Sequence, residues 1–346
     1  MDIEEILLRR LTGQHLIAPA DKLSVARDLC GVQAQFMSNA LHALRIRSSG
    51  LDGGTAADGL VKNWTLRGTV HVFAGSDLPL FIRTGDYRKN EWSAPNWWNS
   101  RPDWALGPER QKYLSDVVLA ALAEGPLTRE ELKAVCRTEG MTPEEERSMF
   151  HPWGGGVRQL CERGFMHYAA SERKEFCLTP VFEPIPEHEA KLELARRYFA
   201  NYGPATIKDA AYFFGTTQTE VRRWLEALPV ETAECGGRTY HYIKSEDNCG
   251  GDIPECIFLA GFDQLMLGYE KKESLFLSPE HLRSIFSLAG IVMPAVLLHG
   301  RVAGRWKRRG RKLSIELFSQ TGEKDLAVIR ESAESLWSDV SAVEFA

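Results

Sequence analysis

Ala190–Ile243 reads AKLELARRYFANYGPATIKDAAYFFGTTQTEVRRWLEALPVETAECGGRTYHYI, and its punctuation decides the fold. A helix over Ala190–Asn201 breaks at Gly203-Pro204, because proline lacks the amide proton that a helix interior needs. A second helix follows through Thr206–Phe214. A turn at Gly215-Thr216 leads into a third, Thr219–Leu228. Val230–Glu234 and Thr239–Ile243, joined at Gly236-Gly237, then have the pattern of a hairpin.

The same order stands upstream. Tyr113–Ala123 is a helix with an apolar stripe that stops at Gly125-Pro126. Thr128 caps the next helix, with acidic residues in its first turn. After a loop comes Gly156–Arg163, stopped by Gly164, and then strands Phe165–Tyr168 and Phe176–Leu178. The N-terminal part offers helices over Ile3–Leu16, from Asp21 to a stop at Gly31, and over Asn39–Arg47. A Gly-rich turn (Gly50, Gly53, Gly54), a short helix near Thr55–Lys62 and an alternating segment Leu66–Phe73 complete it. Helices followed by a hairpin make a winged-helix silhouette, and two unrelated helical hairpins are the alternative for the middle units.

Beyond Asp252 the character changes. Ile257–Leu259, Ala295–Leu298, Arg301–Trp306 and Leu313–Phe318 look like strands, followed by a helix Lys324–Ser338 and a strand Val340–Phe345. The expected class is therefore α+β, with tandem winged-helix modules at 1–110, 111–185 and 186–250 and a β-rich module at 251–346.

Composition narrows the function. The 346 residues are 44% hydrophobic and 26% charged, ordinary for a globular chain. The longest apolar stretches, near Ile257–Leu267 and Leu288–Leu298, are interrupted well short of the roughly 18–20 residues that cross a bilayer. With no basic leader at Met1-Asp2-Ile3-Glu4-Glu5, a cytoplasmic protein without membrane contact is expected. Seven scattered cysteines form no CxxC pair, which argues against a zinc ribbon, a redox motif or a disulfide framework; no metal and no cofactor are expected. The net charge is −5, yet Arg301, Arg305, Lys307, Arg308, Arg309, Arg311 and Lys312 gather around Trp306. Acidic residues collect elsewhere, at Glu144–Glu146 and Glu183–Glu193, which leaves a local footprint for a polyanion.

Several short elements, in order, carry a resemblance. Gly31-Val32-Gln33-Ala34-Gln35 resembles the glutamine-aliphatic-glutamine motif of the AlkZ-type DNA glycosylases. Leu66-Arg67-Gly68-Thr69-Val70-His71 is similar to an arginine-glycine-threonine-aliphatic-histidine element of that family. Phe262–Tyr269, Met293–Val296 and Gly300–Trp306 resemble its C-terminal blocks. The elements span roughly 300 residues. The resemblance implies tandem winged helices with a C-terminal β-barrel-like module. It also implies hydrolytic release of N3- or N7-alkylated purines from double-stranded DNA, with unhooking of interstrand crosslinks in some members. A monomer is expected. The YcaQ branch carries aspartate at the position of Gln35, so this chain resembles the AlkZ branch more closely.

The chemistry is consistent with those residues. A glutamine amide does not titrate and is no strong base. An N3- or N7-alkylated purine is already cationic, however, and departs without being protonated. What remains is to hold a water beneath the anomeric carbon and to stabilise an oxocarbenium-like sugar, which a fixed amide carbonyl can do. Gln35 is expected to orient the water and Gln33 to help hold it or the sugar. Alternatively, both amides cap the helix Asn39–Arg47. DNA contacts are expected at Arg67, Thr69, His71, Arg301, Arg305, Lys307, Arg308 and Arg309. Arg67 can instead pair with Asp58 or Asp77, and His71 can be a satisfied strand histidine. Asp263 is read first as a structural partner to an arginine and second as a catalytic carboxylate. Trp92, Trp97, Trp98 and Trp104 are read as core packing or as stacking groups at a lesion. The glycines of His151–Gly156 are a linker or a phosphate-receiving helix start.

Two other readings stand beside the enzyme. A non-catalytic winged-helix protein or transcription regulator would read the major groove with Gly156–Arg163 or Thr219–Leu228, though neither helix is strongly basic. A protein-interaction scaffold fits the net negative charge better than either.

Overall fold

Side chains at the helix entrances set much of the architecture. Thr128, Thr142 and Thr206 each accept a bond from the amide three residues on, where Glu131, Glu145 and Asp209 bond back to the threonine amide. Two orphan amides are satisfied at each of these starts. The computed structural model describes residues 1–49, 58–65, 68–82, 101–152, 154–171, 173–244 and 251–346. It divides into two compact units, Met1–Ala56 with Leu194–Ala346, and Ala57–Glu193.

The chain opens in the first unit with α1 (Ile3–Gly13), α2 (Lys22–Asp28), an extended pair β1 (Val32–Gln33) and α3 (Met37–Arg45). It then builds the second unit from β2 (Leu60–Trp64), β3 (Val70–Ala74), α4 (Leu78–Phe81), α5 (Pro108–Ala123), β4 (Leu127–Thr128), α6 (Arg129–Thr138), α7 (Pro143–Met149), α8 (Gly155–Glu162), β5 (Met166–Tyr168) and β6 (Glu175–Leu178). Strands within this unit lie in the order β3-β2-β5-β6-β4. Leu114, Val118 and Leu122, four residues apart on α5, pack with Leu132, Cys136, Val157, Leu160 and Met166.

Two expectations need correcting here. The helix near Thr55–Lys62 does not form over its described part, since Leu60–Lys62 belong to β2, paired from Leu60 with Ala74 to Trp64 with Val70. Leu60–Asn63 are all buried, so no alternation betrays the strand. Thr55–Ala57, Leu66 and Arg67 lie outside the described residues. Where a loop was expected, Thr142 starts α7.

Through α9 (Glu187–Asn201) the chain returns to the first unit as α10 (Ile207–Phe214), α11 (Gln218–Ala227) and the hairpin β7 (Glu231–Cys235)–β8 (Arg238–Tyr242). Gly215 closes α10 in the left-handed region at φ 62°, which only glycine enters freely. Rings of Tyr198, Tyr202, Phe213, Phe214 and Trp224 pack in sequence behind these helices.

The C-terminal part comprises β9 (Cys256–Leu259), α12 (Gln264–Leu267), α13 (Leu282–Ile285), β10 (Ala295–Leu298), β11 (Arg301–Arg309), β12 (Lys312–Leu317), α14 (Glu323–Leu336) and β13 (Ala342–Phe345). Its sheet runs β13-β12-β11-β10-β9, antiparallel except for β12 and β13. α14 supplies the crossover that a parallel pair requires. Ile329 and Ala333 of that helix bury against Phe258, Val296, Leu313 and Ile315. Among the described residues β9 and β13 do not pair, so the expected barrel-like closure is absent. A helix covers the apolar face that a closed barrel would enclose.

Candidate functional site

The segment carrying Gln33 and Gln35 is shaped by the end of α2. Cys30 and Gly31 both take positive φ, 54° and 82°. Their amides return to the Arg27 carbonyl at 3.1 Å and the Ala26 carbonyl at 2.8 Å, a paired closure of the helix end. The expected Gly31 shares the closing of α2 with Cys30, which carries a side chain in the left-handed region. A side chain in that region costs about 1–2 kcal/mol. Distant contacts hold it: the buried Cys30 thiol donates to the Leu194 carbonyl at 3.7 Å, and Tyr202 Oη donates to the Leu29 carbonyl at 2.8 Å. The chain leaves this turn extended. Gln33 is buried and Gln35 is exposed. Neither caps the next helix, because α3 has Phe36 at its N-cap and no side-chain bond there. The capping alternative is therefore removed.

α3 is fixed from behind. His42 Nε2 lies 2.7 Å from the Phe258 carbonyl, and its ring packs on Trp306 and Trp337. Burial pushes the His42 imidazole below its ordinary pKa, against the opposing pull of the Phe258 carbonyl and Asp263. Arg45 donates to the Leu336 carbonyl at 2.7 Å. Arg47 grips both oxygens of Asp263 at 2.7 and 2.9 Å and the Gln14 carbonyl at 3.0 Å; both members of the pair are fully buried. Asp263 also caps α12 through the Leu265 amide. It is the structural partner of an arginine, and the partner is Arg47. The two residues before it complete the clamp. A Cβ at Gly261 would come within 2.8 Å of Asn39 Nδ2, and the Phe262 ring centroid lies 6.0 Å from that of Phe36. The block Gly261-Phe262-Asp263 thus holds the start and end of the helix that follows the glutamines.

In the second unit, His71 sits buried on β3 opposite Asn63. Its Nδ1 is 2.6 Å from Thr65 Oγ1 and 3.2 Å from the Thr69 carbonyl, and that carbonyl accepts only if Nδ1 carries the proton. Thr69 is half-buried, and its hydroxyl is enclosed without a hydrogen bond among the described residues. Arg67, Trp92, Trp97 and Trp98 lie outside the described residues. Trp104 packs on the α5 core and donates to the Leu106 carbonyl at 2.7 Å.

The glycines that open α8 are tightly packed. A Cβ at Gly155 would meet the Ser148 carbonyl oxygen at 2.2 Å, and one at Gly156 the Met149 sulfur at 2.3 Å. Every residue of α8 is buried. Arg158 stacks its guanidinium 3.8 Å from the Trp64 ring centre and pairs with Glu162 at 2.7 Å. This helix presents no face to a groove. On α11, by contrast, Val221 and Trp224 are the buried residues, and Arg222 and Arg223 are exposed.

The basic segment is the β11–β12 hairpin, turned at Gly310 with φ 58°. Arg305, Lys307 and Arg309 share one face by the period of two, while Trp306 and Arg308 turn toward Trp337. Acidic neighbours meet some of these charges: Arg301 pairs with Glu4 at 3.1 Å, Arg305 with Glu316 at 2.7 Å, and Arg308 with Asp339. Lys307 and Arg309 are exposed and form no ion pair with the described residues.

No helix of the described residues is long and apolar enough to cross a membrane, and no cluster of three His, Cys, Asp or Glu there is placed to hold a metal. Burial pushes the Cys136 thiol up to about 11 and the Cys256 thiol up to about 12, so neither is a ready nucleophile.

Comparison with known proteins agrees with this layout. A family model described as DNA glycosylase AlkZ-like matches residues 26–338. An interstrand DNA cross-link repair glycosylase from Streptomyces sahachiroi is 27% identical over 332 residues, covering 88% of this chain and 87% of that protein. The solved structure of Streptomyces sahachiroi DNA glycosylase AlkZ matches with a TM-score of 0.80 at 24% identity, covering 100% of this chain and 99% of that one.

Proposed function

The chain belongs to the AlkZ-like DNA glycosylase family, and we propose that it hydrolyses the N-glycosidic bond of N3- or N7-alkylated purines in double-stranded DNA. The observation that carries this reading is the exposed Gln35 beside the buried Gln33, on an extended segment clamped by distant parts of the chain. Alkylation has already made the purine a cationic leaving group. The hydrolysis therefore asks only for a positioned water and for dipoles turned toward the developing oxocarbenium ion. Gln35 supplies the amide that faces solvent and orients the water. Gln33, enclosed and less free to rotate, supplies the fixed dipole behind it.

Duplex contacts are assigned to Lys307 and Arg309 first, because they are exposed and unpaired with described residues, and then to Arg301, Arg305 and Arg308, which must exchange an acid for a phosphate. Thr69, His71 and Arg67 are assigned to phosphate or water contacts from the element that resembles the family's second motif. The units at 111–185 and 186–250 are read as winged helices. In the first, β4 pairs with β6 of the β5–β6 hairpin; in the second, a bridge joins Ala205 to His241 of β8. The protein acts as a monomer. Since the Streptomyces relative is named for interstrand cross-link repair, crosslinks between alkylated purines are included among the substrates.

The test is incubation of the pure protein with a duplex carrying one N7-methylguanine, followed by chromatography of the released base. Release by the wild type and its loss in Gln35→Ala is the expected result. Tight duplex binding with no base released contradicts the proposal. Release that survives Gln35→Ala removes the role given to the amide.

A further inference from the structure

Two features meet at Phe36. It is 49% exposed, directly after Gln35. It is also the N-cap of α3, where phenylalanine can satisfy no amide. Other helices of eight residues or more are entered through Asp2, Thr128, Thr206 and Thr217, each with a side-chain bond, or through glycines such as Gly107 and Gly154. A capping residue in place of Phe36 would stabilise the helix by about 1 kcal/mol. The chain thus forgoes a cap and leaves about half of an aromatic residue open to solvent, with Phe262 packed on the rest.

The ring is nevertheless held in place. Phe262 packs against it at 6.0 Å between centroids and 31° between planes. Phe262 itself has φ 58°, an uncommon conformation for an aromatic residue. That conformation is held by the Phe262 amide bonding to the Val292 carbonyl at 3.2 Å and by the adjacent Asp263–Arg47 pair. Non-glycine residues held in this region concentrate at functional sites. One side of the Phe36 ring is backed by protein, and the residue is open to solvent next to the water-positioning amide.

We propose that Phe36 is a nucleobase-contacting residue, whose open ring face stacks on the alkylated purine held over Gln35. This rests on the glycosylase reading above and deepens it. Stacking on an aromatic ring is available to any base, and a cationic purine gains further from the electron-rich face. The contact therefore favours the charged base before bond cleavage over the neutral base that departs.

Single-turnover release of N7-methylguanine, measured across enzyme concentrations, tests the assignment. Loss of one aromatic–base stack is expected to lower the ratio of maximal rate to half-saturating concentration in Phe36→Ala roughly ten- to a hundred-fold. Phe36→Trp keeps a ring and should stay within about threefold of the wild type. Phe36→Leu keeps an apolar contact with Phe262 but has no π face, so it should resemble Phe36→Ala. Circular dichroism melts of all three should match the wild type to within a few degrees. A Phe36→Leu protein as active as the wild type overturns the proposal, since packing on Phe262 would then be the whole role. So does a Phe36→Ala protein with unchanged kinetics. If the wild type releases no base, both this assignment and the glycosylase reading fall; if it releases base and Gln35→Ala does not, while Phe36→Ala does so normally, only the Phe36 assignment falls.

Discussion

Two sets of basic side chains in the first unit look alike in sequence and differ in what they do. Arg10 and Arg47 are enclosed, the first 3.5 Å from Asp209 and stacked on Tyr269, the second in a two-point grip on Asp263. Arg305, Lys307 and Arg309 stand along one face of a hairpin, with Arg305 loosely balanced by Glu316. The inner charges cannot meet DNA and serve to fix geometry. The outer charges hold little of the fold and remain available to a polyanion. Burial, not local sequence, divides the anchoring charges from the exposed ones.

The largest expected effect breaks an inner pair. Asp263→Ala leaves the Arg47 guanidinium buried without its counter-charge and should cost about 3–5 kcal/mol in denaturant unfolding. Arg47→Met combined with Asp263→Leu should recover much of that loss. If the single change costs under about 1 kcal/mol, the inner and outer sets are not distinct classes. On the outer face, Lys307→Gln with Arg309→Gln should make the log–log salt dependence of duplex binding shallower by roughly 1.8, at about 0.9 for each phosphate that is no longer neutralised. Unfolding of that double variant should stay within about 0.5 kcal/mol of the wild type. An unchanged slope would place the duplex elsewhere.

His42 sharpens the comparison through pH. Its folded pKa lies below the unfolded value near 6.5, so the unfolded chain binds the proton more readily. The stability linked to neutral His42 is fully present above about pH 6.5 and is lost as pH falls toward the folded pKa. His42→Gln should therefore narrow the drop in melting temperature between pH 7.5 and 5.5. An equal drop in both proteins would show that the histidine packing does not respond to protonation. Smallest of all, Arg305→Gln should change unfolding by about 0–1 kcal/mol, because the Glu316 pair is exposed.

Local chemistry explains which features the sequence made readable. Thr128 with Glu131 and Thr206 with Asp209 announce helix starts within four residues, and both are found. Thr142-Pro143-Glu144-Glu145 carries the same signal for α7 and was legible, although a loop was expected there. β2 was not legible, because a strand buried at Leu60–Asn63 shows no period of two. The open C-terminal sheet depends on α14 covering one face, which no strand pattern reports. At the site, the glutamine pair was visible as a motif, and the extended backbone between the amides followed from a helix stop. Gly31 shares that stop with Cys30, whose conformation is held by Leu194 and Tyr202, too far along the chain to be read locally. Asp263 was readable as a structural acid, but its partner Arg47 is 216 residues away. Phe36 carries a local sign of its own: an aromatic residue where a helix asks for a cap.

In the proposed function, hydrolysis falls to an amide with no titrating group. The most direct measurement is the single-turnover rate of N7-methylguanine release at saturating protein from pH 6 to pH 9, corrected for spontaneous loss. Catalysis by Gln35 and Gln33 predicts a rate flat to within about threefold across that range, since neither amide changes charge. A tenfold rise per pH unit through the histidine range would contradict it, and would pass the work of proton removal to a titrating side chain.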